Sequence, residues 1–305
     1  MAILCLLLPL LLGCAADRDP ATLFGPEETQ ALVVDAVLLV GQPLPPLYLR
    51  RSLPAGAAYH ADALGVSGAR VEIASPDGRY PYAADRDSAG KYLAPAGAAL
   101  VRAEVTYALE IAMGEETLRA TTTTPAQVRL REAVLRDGRT LAEVARLRLF
   151  GEAGEAAYDA AENQLQYLEG LLELRFAPVQ AAGYQVALFS LDSDSPFLVD
   201  AEFLEEKDQA DFARQGSSPA IADTRGMVSL PWFSVAYAGR HLFKVYAVDR
   251  NWFDLARTNP ADSPGLGGGL AGDNFERPFF RVEGGIGLFG SASADSVGFT
   301  VLPRR

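Results

Sequence analysis

The sequence predicts a mainly β protein, built as two β-sandwich domains with one or two short helices. Three observations predict it. Short runs alternate apolar and polar residues at period two. The 28 glycines and 19 prolines are spread along the chain as turn punctuation. The turn signals recur at the close spacing of antiparallel sandwiches.

The first sandwich is expected over residues 31–125. LVVDAVLLV, the Gly41-Gln42-Pro43 turn and LYLRR make its opening pair. Ala69-Arg70-Val71-Glu72-Ile73 alternates and runs into the turn Pro76-Asp77-Gly78. Val105, Tyr107, Leu109 and Ile111 fall on one face of a longer strand. After Gly114 a Thr-rich strand ends at Thr124-Pro125. The order G-A-x-V-x-I, turn, G-x-Y, Y-x-L-x-I resembles prealbumin-like, carboxypeptidase-regulatory modules, an Ig-like arrangement.

The second domain is expected over residues 126–305. Thr140-x-x-Glu143 reads as a capping box and predicts a short helix near Leu141–Leu149, although Ala145, Leu147 and Leu149 also alternate. Strands return with Leu172, Leu174 and Phe176, then with Tyr184, Val186 and Leu188. Glu202–Arg214 reads as a surface helix, and His241–Val248 alternates over eight residues before Asp249-Arg250-Asn251. The pair Y-x-V-x-L and F-x-V-Y-A-V-D resembles fibronectin-type-III sandwiches. Nine glycines then crowd the tail between Gly265 and Gly290.

Ahead of the body, Met1 to Leu12 is apolar and uncharged and is followed by Leu11-Leu12-Gly13-Cys14-Ala15. The run is short of the ~20 residues a spanning helix needs and fits a signal peptide over residues 1–13. Leu-x-Gly-Cys resembles the lipobox of bacterial lipoproteins, which implies cleavage before Cys14 and acylation of its sulfur. Several acyl chains give a stable membrane anchor. Residues 14–30 then form a polar tether in which Asp17 and Asp19 resemble a surface-export signal. Only Cys5 and Cys14 are present, so the mature chain holds one sulfhydryl and forms no internal disulfide. The expected location is the cell envelope, at the outer membrane.

Composition removes some function classes. With 39 acidic against 27 basic residues the net charge is −12, and no basic stripe offers itself to nucleic acid. Gly285-Ile286-Gly287-Leu288-Phe289-Gly290 matches G-x-G-x-x-G, yet the sequence after Gly290 is too brief for a βαβ unit, so tight turns packed on a neighbouring strand are expected. Ala294-Asp295-Ser296-Val297-Gly298 resembles a nucleophile elbow, but no His follows it. His60 is expected in a loop and His241 at an exposed strand edge, so neither a triad nor a His-based metal site is expected. Asp85-Arg86-Asp87-Ser88-Ala89-Gly90 begins like a calcium loop, but Ala96 stands where the bidentate Glu belongs, leaving a polar hairpin turn. Asp192, Asp194 and Asp200 read as turn formers. Catalytic residues, cofactors and metals are expected to be none.

Two aromatic pairs carry more promise. Trp232-Phe233 and Trp252-Phe253 each place large rings in one spot. Asp249, Asn251, Trp252 and Phe253 follow a strand, where loops deliver recognition groups. Capping of the sandwich core competes with that reading.

The lipobox, the G-A-x-V-x-I strand, the V-Y-A-V-D-x-N-W strand and the tail E-G-G-I-G-L-F-G-S together resemble the uncharacterised lipoprotein family called domain of unknown function 4249. The resemblance covers about Leu32 to Leu302 and is weakest over 126–230. It implies an accessory lipoprotein working beside a TonB-dependent outer-membrane receptor, a non-enzymatic binding module. A carboxylate-based hydrolase or carbohydrate-active enzyme is the alternative, since carboxylates are plentiful, and a structural envelope protein is a third.

Overall fold

In the computed structural model the described residues are 30–53, 61–149, 163–166, 170–199, 214–222, 224–231, 234–258 and 278–303. The expectations for residues 1–29 with Cys14, for His60, for a helix from Glu202, for Asp200, for Trp232-Phe233 and for 259–277 lie outside them. The fold is mainly β and sandwich-like, without a closed barrel.

Strands β1 (Leu32–Leu39), β2 (Leu47–Arg51), β3 (Arg70–Ser75), β4 (Gly78–Ala84), β5 (Lys91–Leu93), β6 (Thr106–Met113) and β7 (Glu116–Thr123) make the N-terminal half. Period-two burial shows why. In β1, Leu32, Val34, Ala36 and Leu38 point inward, and in β6 so do Tyr107, Leu109 and Ile111. These side chains meet Val71, Ile73 and Leu118 in one apolar core. Its last layer is Phe289, supplied from the far end of the chain.

Strands β8 (Leu130–Asp137), β9 (Glu143–Arg146), β10 (Gln164–Gln166), β11 (Gly170–Phe176), β12 (Gly183–Ser190), β13 (Gln215–Ser217), β14 (Met227–Pro231) and β15 (Gly239–Val248) follow, then helix α1 (Arg250–Thr258) and strand β16 (Ile286–Leu302). A four-stranded sheet, β14-β11-β8-β9, faces β12, β15 and the second half of β16. Leu135, Leu172, Leu174 and Phe176 from one layer pack against Val186, Phe243, Val245 and Phe299 from the other.

One strand joins the halves. β16 runs parallel to β1 from Val33↔Ile286 to Leu39↔Ala292. It then runs antiparallel to β15 from Val248↔Ala292 to Gly239↔Val301. Ala292 is the handover residue, paired on both sides, so a single large sheet extends from β13 to β7. The isolated bridge Arg119↔Glu283 brings β7 back against the approach to β16 and curls the N-terminal half around its core.

Four expectations need correction. The Thr140–Glu143 box starts no helix: Asp137 Oδ1 takes the Thr140 amide and hydroxyl, Leu141 adopts φ 57°, and the chain returns as β9 beside β8. The segment after Val248 is a helix, not a loop. His241 is buried rather than exposed, with its ring stacked 5.3 Å from Phe299, and burial pushes its imidazole below the ordinary 6.5. The G-x-G-x-x-G segment does pack against neighbouring strands, but as the start of β16 rather than as turns. At Gly287 a Cβ would stand 2.0 Å from the Val34 carbonyl oxygen, and φ is +112°, so only glycine fits. The Asp85–Gly90 segment is a hairpin turn in which Asp85 takes the Asp87 amide and pairs with Lys91.

Candidate functional site

The first turn of α1 stands where the two halves meet. Asp249 is its N-cap: Oδ1 accepts the Trp252 amide at 2.9 Å, and its carbonyl accepts the Phe253 amide. Oδ2 accepts the Thr122 hydroxyl of β7 at 2.5 Å, and Thr122 lies 2.6 Å from the Ser291 hydroxyl of β16. All three side chains are buried. Burial pushes the Asp249 carboxyl above its ordinary 3.8, while the bonds from Thr122 and Trp252 pull it back in part.

Asn251 works from the same turn. Its amide nitrogen donates to the Thr121 carbonyl at 2.6 Å and the Phe289 carbonyl at 2.7 Å, so one side chain ties β7 to β16. The Trp252 indole donates to Gln185 Oε1 at 2.8 Å, and Gln185 in turn donates to the Ser218 carbonyl. The Trp252 ring is half-buried beside Tyr246. Phe253 is buried against Gly183, where a Cβ would stand 2.4 Å from its ring. One turn later Asp254 is buried between Arg250 and Arg281. Burial raises its carboxyl, but the hydrogen bonds and charges of the two guanidiniums outweigh that and hold it below 3.8.

The four candidate residues are thus gathered in one helical turn, and what they touch divides them. Asp249 and Asn251 bond to both halves, Phe253 joins the core, and Trp252 keeps part of its ring accessible. Thr122, Ser291 and Gln185 belong to the same cluster and were not singled out from the sequence. Their signal is faint: Thr122 shares the inward face of β7 with Leu118 and Ala120, and buried Thr124 follows just past the strand's end, so polar residues occupy core positions there. Asp295, from the segment resembling a nucleophile elbow, lies within β16 and accepts the Leu130 amide at 2.7 Å. Ser293 likewise binds the linker, accepting the Val128 amide and donating to the Ala126 carbonyl. Among the described residues no group of three His, Cys, Asp or Glu side chains converges on one point, and Asp192 is engaged with Arg240.

Beside this turn a crevice of about 450 Å³ opens between the end of β7, the linker 124–126, residues 180–182 and the start of α1. Its size falls in the ~300–1,000 Å³ range of ligand sites. Asp249 and Asn251 form one wall and Thr121–Thr124 another, with Glu104 and Arg250 at the lining. Glu104 adopts φ 56°, a conformation that costs a non-glycine residue about 1–3 kcal/mol.

No curated protein matches the chain. The family model described as "Domain of unknown function (DUF4249)" matches residues 18–297, nearly the whole length. The tail glycines that pack β16 against β1, and the Val-Tyr-Ala-Val-Asp strand that leads into α1, lie within that match, and the chain belongs to the DUF4249 family.

Proposed function

We propose that this protein is an envelope lipoprotein, anchored at the outer membrane through acylated Cys14, that acts as a non-enzymatic binding module for a TonB-dependent receptor. One observation carries the choice of binding over catalysis. The polar side chains that gather at the junction are committed to architecture: both Asp249 oxygens, the Asn251 amide and the Trp252 indole are bonded to the protein's own groups. A base held by its own cap and core bonds is poorly placed to take a substrate proton. The crevice beside them offers shape and backbone groups instead. The Leu11-to-Cys14 box supports the anchor, and the acidic net charge disfavours an anionic lipid surface or nucleic acid as the working partner.

Cells fed a labelled fatty acid should yield a labelled protein in the outer-membrane fraction, and Cys14→Ser should lose both label and fractionation. The solubilised wild-type protein should co-purify with a TonB-dependent receptor after mild cross-linking. Equal labelling of the serine variant would overturn the anchor. A wild-type protein recovered without any receptor would overturn the accessory role.

A further inference from the structure

Strand β7 has one edge on β6, and its other edge is only partly claimed. Strand geometry alternates the direction of backbone groups. Thr124 bonds toward β6, giving its amide to Val105 and its carbonyl to the Glu104 amide. Residues 123, 121 and 119 therefore face the other way. Arg119 confirms the parity, exchanging both backbone bonds with Glu283. Two residues on, the Thr121 carbonyl is capped by Asn251. Two further on, Thr123 is exposed, and its outward N–H and C=O have no backbone partner among the described residues.

The chain that could have continued this ladder turns away from it. After the bridge at Glu283, Arg281 reaches Asp254, and the Phe279 amide donates to Thr258 at the end of α1. The open edge at Thr123, beyond the capped Thr121 carbonyl, is also a wall of the 450 Å³ crevice. Glu104 lines the same crevice and has no ion-pair partner among the described residues, whereas Arg250 is paired with Asp254. Arg250 shares that carboxylate with Arg281, so Glu104 is the crevice-lining charge left without an ionic partner among the described residues.

We propose that the crevice takes an extended peptide segment of the protein partner, which adds as a short strand to the edge of β7 left open at Thr123 and sets a Lys or Arg side chain opposite Glu104. Strand addition draws affinity from the exposed main-chain groups and selectivity from neighbouring pockets and charges. The complementary cation selects this occupant over a second copy of this acidic chain. The inference rests on the binding-module reading and names the chemistry of its ligand.

The test uses the full-length protein in detergent, panned against a display library of random linear peptides. Selected peptides should be rich in β-forming residues with a Lys or Arg, and should bind the wild-type chain in solution. Thr123→Pro removes the outward N–H and the exposed side-chain bond to Thr106, but no backbone bond to β6, a substitution that edge strands tolerate. It should weaken the selected peptides about tenfold, the scale of one main-chain hydrogen bond with its strand alignment. Glu104→Lys, a surface change that leaves the β7 edge intact, should reverse the preference to acidic peptides. Matching thermal melts establish that both variants are folded. No enrichment over background, undiminished affinity in Thr123→Pro, or an unchanged charge preference in Glu104→Lys each overturns the proposal. So does a concentration-dependent dimer that Thr123→Pro abolishes while no peptide is selected, because that assigns the edge to a second copy. Selected peptides without a co-purifying receptor would sustain the strand site while overturning the receptor reading. A receptor complex that Thr123→Pro leaves intact, with no peptide selected, would do the reverse.

Discussion

The hydroxyl of Thr122 lies 2.5 Å from Oδ2 of Asp249, a residue 127 positions later in the chain. Through this contact the N-cap of the helix that closes one half of the molecule is fastened to the last strand of the other half. Both groups are buried, so each depends on the other for its hydrogen bonds. Thr122→Val, close in shape, leaves Asp249 Oδ2 without its donor and should cost about 1–3 kcal/mol in urea unfolding. The cost should be larger at neutral pH than in acid, because the bond favours the ionised carboxyl. Equal cost at both would show that Asp249 is uncharged throughout.

The same carboxyl predicts a pH dependence. Burial raises its pKa above 3.8 in the folded protein, so the folded state holds this proton more tightly than the unfolded chain does. Its contribution to stability is therefore full below 3.8 and declines as pH rises through the raised folded value. Asp249→Asn keeps a good cap and cannot titrate. Across that window the wild type should lose stability relative to Asp249→Asn. A relative gain with rising pH would mean that the bonds from Thr122 and the Trp252 amide dominate over burial.

Trp252 and Phe253 should separate cleanly. Phe253 fills the space beside Gly183, and Phe253→Ala should cost about 3–5 kcal/mol of folding stability. Trp252→Phe removes one donor to Gln185 and should cost about 0.5–1.5 kcal/mol. If the receptor uses the accessible part of the indole, Trp252→Ala weakens the complex by more than about 1 kcal/mol, while the folded fraction of Phe253→Ala binds normally. A reversed ranking in stability would place Phe253 outside the core.

Much of the fold was legible because its strands follow simple alternation. β3 and β6 bury every second side chain and β15 does so from Phe243 to Ala247, whereas β12 is buried on both faces from Gly183 to Leu188; the sandwich class and the turns follow from the alternating strands. The sequence misled where polar residues occupy inward or capping positions. Thr140-x-x-Glu143 has the spacing of a helix start, yet Asp137 captures Thr140 first and makes a hairpin. Asp249 looked like the opening of a recognition loop because it follows a strand; its role as N-cap to Arg250–Thr258 depends on a partner in β7 that no local pattern names. β16 was hidden most deeply. Its glycines read as turns and Ser296 as part of a likeness to a nucleophile elbow, whereas the glycines admit the β1 backbone and Ser291 and Ser293 bind β7 and the linker.

Gly287 should be among the least tolerant positions in the chain. A Cβ there meets the Val34 carbonyl oxygen, a backbone atom that cannot swing aside, in a conformation that L residues avoid. Gly287→Ala should cost at least about 2–4 kcal/mol from strain and overpacking combined. Gly216→Ala in β13, where nothing lies within 4 Å of the added atom, should stay within about 0.5 kcal/mol. Similar melting temperatures for the two variants would show that β1 and β16 can part without loss.

The two halves should prove inseparable, although each has its own core. The linker after Pro125 is held down by Ser293, Asp295 and the Ala294 carbonyl, and Val128 within it is buried. Protease should therefore spare residues 126–130 and cut at the exposed hairpin turn near 138–142. The nicked chain should then remain one particle on size exclusion, because β16 still pairs with β1, β7 still bridges to Glu283, and Asn251 still clasps Thr121 to Phe289. A fragment of residues 30–125 made alone lacks Phe289 and the whole parallel partner of β1, leaving a long apolar edge bare. It should be unfolded or aggregated, and adding a peptide spanning residues 278–303 should restore soluble β structure by circular dichroism. An N-terminal fragment that is monomeric and melts cooperatively without that peptide would show that β16 decorates the first sandwich instead of completing it.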